Sequence, residues 1–180
     1  RFVDKMYQYG IENLKNYGVQ RCTLEVINKN ERAIKVYERI GFQIGQKLCC
    51  YKGTIPVLGD IKIKQIDLTQ IQHLDTNQNY SWDNKWETIR RAGNTYSVFN
   101  VYEKTELEII GYFIINQSNG YVSQLETING EWDKLFSGIG KIRKAIRINN
   151  IKEDRTDLLS FLSKINFENS INQIEMEMKL

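Results

Sequence analysis

Histidine is nearly absent from this chain, and cysteine and proline are scarce. The 180 residues include one histidine, three cysteines and one proline. Cys22, Cys49 and Cys50 show no C-x-x-C spacing, and an adjacent pair cannot easily bond to itself. With one histidine to add to them, a zinc set is not expected. Reduced, mostly buried thiols in a cytoplasmic protein are the simplest account. An excess of one charge sign is also missing: 25 Lys and Arg stand against 22 Asp and Glu, a net of +3. No nucleic-acid footprint stands out from that balance. The most basic run, Lys141 to Arg147, reads as a solvated helix face, with an anion site as the alternative. No segment resembles a signal peptide or a membrane span, so neither membrane nor nucleic acid is expected as a partner. What remains is 41% hydrophobic with 10 Tyr, 7 Phe and 3 Trp, enough for a real core. The length suits one large domain, or a partial one followed by a small one.

The densest information lies near the start. Arg21-Cys22-Thr23-Leu24-Glu25-Val26-Ile27 is rich in β-formers and too short for a helix. Asn28 and Asn30 are good N-cap residues, because a short side-chain oxygen can accept from free backbone N–H groups of a first turn. Glu31 then places negative charge where the helix dipole favours it. Ala33, Ile34, Tyr37 and Ile40 share one face of a helix. Gly41 suits the left-handed stop, and Phe42 begins another extended run. On periodicity alone this is a β-α-β corner of any α/β domain.

The pattern L-E-V-x3-N-x2-A-x3-Y-x3-G-F, preceded by Tyr17-Gly18-Val19-Gln20-Arg21, resembles the C-terminal half of the GNAT superfamily of acetyl-CoA-dependent N-acyltransferases. The resemblance covers about residues 5–53. It implies an α/β fold with a mixed sheet, and acetyl-CoA as co-substrate, lying in a wedge between the family's strands four and five. The pyrophosphate would be held by a glycine-rich loop at the N-terminus of the third helix. It implies that Asn30 contacts the cofactor and that Tyr37 sits near the thioester sulfur as the general acid for the leaving thiolate. The acyl acceptor would be a small-molecule or peptide amine. Beside these roles stand plainer ones. Asn30 is a helix cap in either case, Tyr37 can be an amphipathic core residue, and Glu25 is a strand residue before it is a base.

No glycine pair precedes Gly18 by one helix length, and Phe2, Val3, Met6, Tyr7, Ile11 and Leu14 fit a helix already under way. A chain opening on Arg is expected to be an excerpt of a longer polypeptide. A half-domain in isolation is expected to swap, fray or form a homodimer.

Residues 54–60 hold the proline and read as a linker, dividing a half GNAT domain (1–53) from a second, degenerate GNAT-like domain (61–180). After the linker the order of elements restarts. A strand at Ile61–Ile66, a short helix over Leu68–Leu74 and a helix from Ser81 to about Ala92 are expected. A hairpin at Tyr96–Tyr102 and Glu108–Ile115 and a strand at Tyr121–Ile128 follow. Asp157–Glu168 then parallels Arg32–Gln43 at an offset of 125 residues. Asn30 corresponds to Arg155, Tyr37 to Leu162 and Gly41 to Asn166: the apolar face is kept and the polar chemistry is lost. Ser137-Gly138-Ile139-Gly140 has the look of a phosphate loop, but a shortened helix over Trp132–Ala145 containing two poor helix formers fits the spacing better. Tyr80, Trp82 and Trp86 could wall an acceptor site or pack against the half-domain in front. Catalysis is expected in the front domain. The alternative is a non-catalytic module for structure or ligand binding.

Overall fold

The computed structural model describes residues 2–56, 59–71, 77–104 and 108–180. The helix expected over Leu68–Leu74 and the 54–60 linker fall partly outside the described residues, and the lone His73 does so entirely. The described residues hold eight strands and five α-helices. They divide into two compact units, Arg1–Leu48 with Asn172–Leu180, and Cys49–Ile171.

The first unit contains α1 (Phe2–Asn16), β1 (Arg21–Ile27) and α2 (Glu31–Ile40). It also takes the first part of β2 (Gln43–Thr54) and most of β8 (Glu168–Lys179). β1 runs antiparallel to β8, from Arg21 opposite Lys179 to Ile27 opposite Gln173. α1 stops where Gly18 turns left-handed (φ 76°) and the Val19 N–H reaches back to the Leu14 carbonyl at 3.0 Å. The core is Val26, Ile34, Phe42, Met176 and Met178, with Tyr7, Ile11, Ala33, Tyr37 and Ile40 packed against it. The four residues expected on the buried face of α2 are therefore all inward. The salt bridge Arg39–Asp4, 2.8 Å, ties α2 to α1.

In the second unit β3 (Lys62–Ile66), β4 (Ser97–Tyr102), β5 (Ile109–Asn116) and β6 (Tyr121–Thr127) form an antiparallel series. β7 (Ala145–Lys152) runs parallel to β6. Alternate residues serve two cores, as the period of a strand requires. Phe99, Phe113, Ile115 and Leu125 join the larger core, with Leu135, Phe136 and Ile139 of α4 (Trp132–Ile142) and Leu158 and Leu162 of α5 (Thr156–Lys164). Val98, Tyr112 and Ile114 join the smaller one, with Ile71, Trp86 and Ile89. The helix expected from Ser81 is broken. A 3-10 turn spans Trp82–Asn84, Lys85 is extended (φ −76°, ψ 159°), and α3 covers Trp86–Arg91. The break frees Asn84 for tertiary hydrogen bonds that a helix would have denied it.

Candidate functional site

Asn30 stands at the N-cap of α2, where its Oδ1 accepts from the Ala33 N–H at 3.2 Å. Its side chain is exposed. Two turns on, the half-buried Tyr37 meets Tyr7 and Phe42 edge-on, with ring centroids 6.3 and 5.9 Å away. Tyr7 and Phe42 are themselves edge-on at 6.1 Å. The Tyr37 ring is thus part of a packed aromatic trio, while its hydroxyl makes no hydrogen bond among the described residues. Burial, with smaller contributions from Tyr37 and Cys22, raises the Tyr7 phenol above its usual range. Beside the trio, α1 and β1 border an apolar groove of about 380 Å³ that includes Tyr7, Ile11, Leu14, Cys22 and Phe42. Glu25 lies on β1 opposite Glu175 and is half-buried.

Much of the backbone hydrogen bonding around Asn30 and Tyr37 recurs 125 residues later. Asn30 N–H to Ile27 carbonyl (2.8 Å) is matched by Arg155 to Lys152 (3.1 Å). Ile34 to Asn30 is matched by Leu159 to Arg155, and Phe42 to Tyr37 by Phe167 to Leu162. Gly41 (φ 115°) and Asn166 (φ 59°) are the two left-handed stops. Asn and Gly are the residues that enter this region at least cost. The side chains do not recur. Arg155 turns away from its own helix to pair with Glu126 through two N–H donors, both at 2.9 Å. Leu162, at the place of Tyr37, is fully buried.

Two further features bear on whether the second unit could hold an acyl-CoA. The first is the Ser137–Gly140 stretch. It lies inside α4, and both glycines face packed side chains: a Cβ on Gly138 would come within 2.7 Å of Val101, and one on Gly140 within 3.3 Å of Ile55. These glycines allow a close approach of the helix to Val101 and Ile55. The N-terminus of α4 carries Glu131 and Asp133. The hydrogen bonds from Lys134 to Glu103 and Glu131 raise its ammonium above the usual lysine range. That end is already supplied with its own charges, and a pyrophosphate would meet carboxylates there.

The second feature is the gap between β6 and β7. The two strands meet in register at one position, Tyr121 opposite Arg147. Beyond it β6 carries an irregularity in its pairing with β5, between Ile114 and Ile115, which leaves Ser123 without a register partner. The gap is filled by residues 80–84. Tyr80 forms a backbone bridge with Ile151 of β7. Its hydroxyl contacts both backbone groups of Leu125 on β6, donating toward the carbonyl at 2.9 Å and accepting from the N–H at 3.1 Å. Glu126 Oε1 lies 2.7 Å from the same oxygen and is the stronger acceptor for the single phenol proton. Asn84 accepts from the Tyr121 hydroxyl (2.7 Å) and from Gln124 Nε2 (2.6 Å, to its carbonyl), and donates to the Asn149 carbonyl (3.2 Å). Asn150, buried and left-handed at φ 59°, donates to both Asp83 carboxylate oxygens at 3.2 and 3.3 Å. Burial first, and Glu126 next, push the Tyr80 phenol well above its usual range.

Of the three aromatics singled out in the sequence, Tyr80 and Trp86 are therefore buried within the second unit, while Trp82 is half exposed. Sequence reasoning assigns no functional part to Ser81, Asp83, Asn84, Gln124 or Asn150. The available signal was polarity at strand centres: Gln124 and the Asn149–Asn150 pair interrupt otherwise apolar alternation. Among the described residues the three cysteines form no disulfide, and no group of metal-ligating side chains occurs. No helix of the described residues is long and apolar enough to cross a membrane.

No protein-family model matches the sequence, and no curated protein matches it. Solved structures do match in fold. A GCN5-related N-acetyltransferase from Sphaerobacter thermophilus superposes with a TM-score of 0.60 at 10% identity, covering 96% of this chain and 66% of its own. A tandem GNAT protein from the clavulanic acid biosynthesis pathway gives 0.62 at 10% identity, with 93% and 66% covered. A GCN5-related N-acetyltransferase from Anabaena variabilis ATCC 29413 gives 0.60 at 15% identity, with 97% and 49% covered. The chain therefore has a GNAT-like mixed α/β fold and spans from about half to two thirds of the length of these proteins.

Proposed function

We propose that this chain is part of a tandem GNAT-type N-acyltransferase that moves an acetyl group from acetyl-CoA to a small-molecule or peptide amine. Catalysis belongs to the front domain, and the first unit is the C-terminal half of it. The observation that carries the reading is the repeated strand–helix–stop structure, in which the first copy alone keeps Asn30 as a side-chain cap and Tyr37, whose hydroxyl makes no hydrogen bond among the described residues. In this reading Asn30 sets the start of α2 and contacts the cofactor's pantetheine arm. Tyr37 holds a proton at its hydroxyl for the departing thiolate, and Tyr7 and Phe42 fix its ring. Acetyl-CoA, when bound, supplies the activated acyl group. The first turn of α1 carries Asp4, paired to Arg39, which disfavours a pyrophosphate at that helix end.

A second reading, a GNAT-derived module without catalysis, is favoured for the second unit by the filled gap between β6 and β7. Transfer of labelled acetyl from acetyl-CoA to a panel of small amines and peptide amines by the full polypeptide tests the proposal. Label in an amine product supports it. Absence of label across the panel, with the cofactor bound, would leave the module reading for the whole protein.

A further inference from the structure

We infer that residues Tyr80–Asn84 are a resident strap, which takes the place of a ligand between β6 and β7 and closes the second unit's acyl-CoA wedge from within. The inference rests on the GNAT-like reading of the fold for the identity of the wedge. The strap itself is a matter of hydrogen bonds. Two parallel strands that part after a single register pair leave facing N–H and carbonyl groups that something must satisfy. A ligand amide would do so with one donor and one acceptor. Here the Tyr80 hydroxyl accepts from the Leu125 N–H and lies 2.9 Å from its carbonyl, with its one proton divided between that carbonyl and Glu126. The other side of the gap is met by the Tyr80–Ile151 bridge, and the far end by Asn84 and Asp83, which reach Asn149 and Asn150 of β7 while Gln124 and Tyr121 of β6 hold Asn84.

The strap also explains the fate of the cation at Arg155. With Tyr80 inside the gap, Glu126 lies against the phenol, and the guanidinium neutralises it, stacking 5.7 Å from both the Tyr80 and Trp132 rings. A buried carboxylate facing a phenol would otherwise be costly. Strap, carboxylate and cation form one set, so loss of the cofactor chemistry at the place of Asn30 and closure of the wedge are the same structural event. The second unit then serves as a rigid body and not as a second active site.

Hydrogen exchange of the full polypeptide tests this, read on amides of residues 121–127 and 146–152. In the unaltered protein, millimolar coenzyme A should leave the exchange of Leu125, Glu126 and Ile151 unchanged, because the strap holds the groups a pantetheine would take. Tyr80→Phe, which keeps the ring and removes the hydroxyl, should speed exchange of the Leu125 amide by about tenfold relative to β4 and β5. Protection of Leu125 or Ile151 by coenzyme A would overturn the inference, as would unchanged Leu125 exchange in Tyr80→Phe. The coenzyme arm uses the unaltered chain, so it stands even if the variant loosens the whole unit. Because neither readout depends on turnover, an inactive front domain would leave both results as they are.

Discussion

Asn30 and Arg155 occupy the same structural position, 125 residues apart, and use it in opposite ways. Both are helix N-caps with nearly the same backbone (φ −88°, ψ 64° and φ −77°, ψ 59°). Asn30 spends its side chain on its own helix. Arg155 leaves its helix without a side-chain cap and joins Glu126. One side chain caps its own helix, and the other is committed to an ion pair.

Removing the cap should cost only what a cap contributes. Asn30→Ala should lower stability by about 1 kcal/mol, and Asn30→Ser should restore most of it. Chemical denaturation followed by circular dichroism checks both. A loss several times larger would mean that Asn30 holds more than the first turn of α2.

The Arg155–Glu126 pair should behave as a buried pair. Its side chains keep 12% and 18% of their exposure. Arg155→Met should cost about 3 kcal/mol, because it strands the carboxylate beside the Tyr80 phenol. Replacing both partners with apolar residues should cost less than the single change. Equal losses in the single and double variants would remove the charge argument and leave only packing.

Two helix glycines should respond with opposite signs. Gly10 of α1 has open space around an added Cβ, so Gly10→Ala should stabilise by up to about 1 kcal/mol. Gly138 of α4 has Val101, Ile61 and Ile63 in the way, so Gly138→Ala should destabilise by about 1–3 kcal/mol. Thermal unfolding of the two variants decides the point. A neutral Gly138→Ala would mean that Val101, Ile61 and Ile63 give way to the added methyl.

Tyr80 should give the second unit an alkaline limit. Its phenol titrates higher in the folded chain than in the unfolded one. The protonated form is thus the one that folding favours. Its stability contribution is complete below about pH 10, the unfolded value, and is lost as pH rises from there toward the higher folded value. Denaturation midpoints measured across that window should fall in the parent and fall less in Tyr80→Phe. Parallel curves would place the alkaline limit elsewhere.

The difference between what the sequence revealed and what it hid follows sequence distance. The capped helix at Asn30, its stop at Gly41, the inward face of Ile34 and Tyr37, and the echo at Leu162 and Asn166 are all local or periodic signals, and all are legible. The short spacing to the next strand makes the Ser137–Gly140 stretch legible as helix. The strap was not legible, because its bonds join Tyr80 to Leu125 and Asn84 to Asn149, and no local pattern encodes such pairings. The continuous helix expected from Ser81 failed for the same reason, since tertiary bonds to Asn84 outweighed local helix preference. The pairing of Val26 with Ile174 is equally non-local.

The most direct test of the account is the steady-state rate of acetyl transfer by the full polypeptide, compared between the parent and Tyr37→Phe across pH. The account predicts a fall in kcat of about a hundredfold, with the KM for acetyl-CoA little changed and the pH profile altered. A variant with the parent's rate at every pH would contradict it and assign Tyr37 to the aromatic packing with Tyr7 and Phe42 alone.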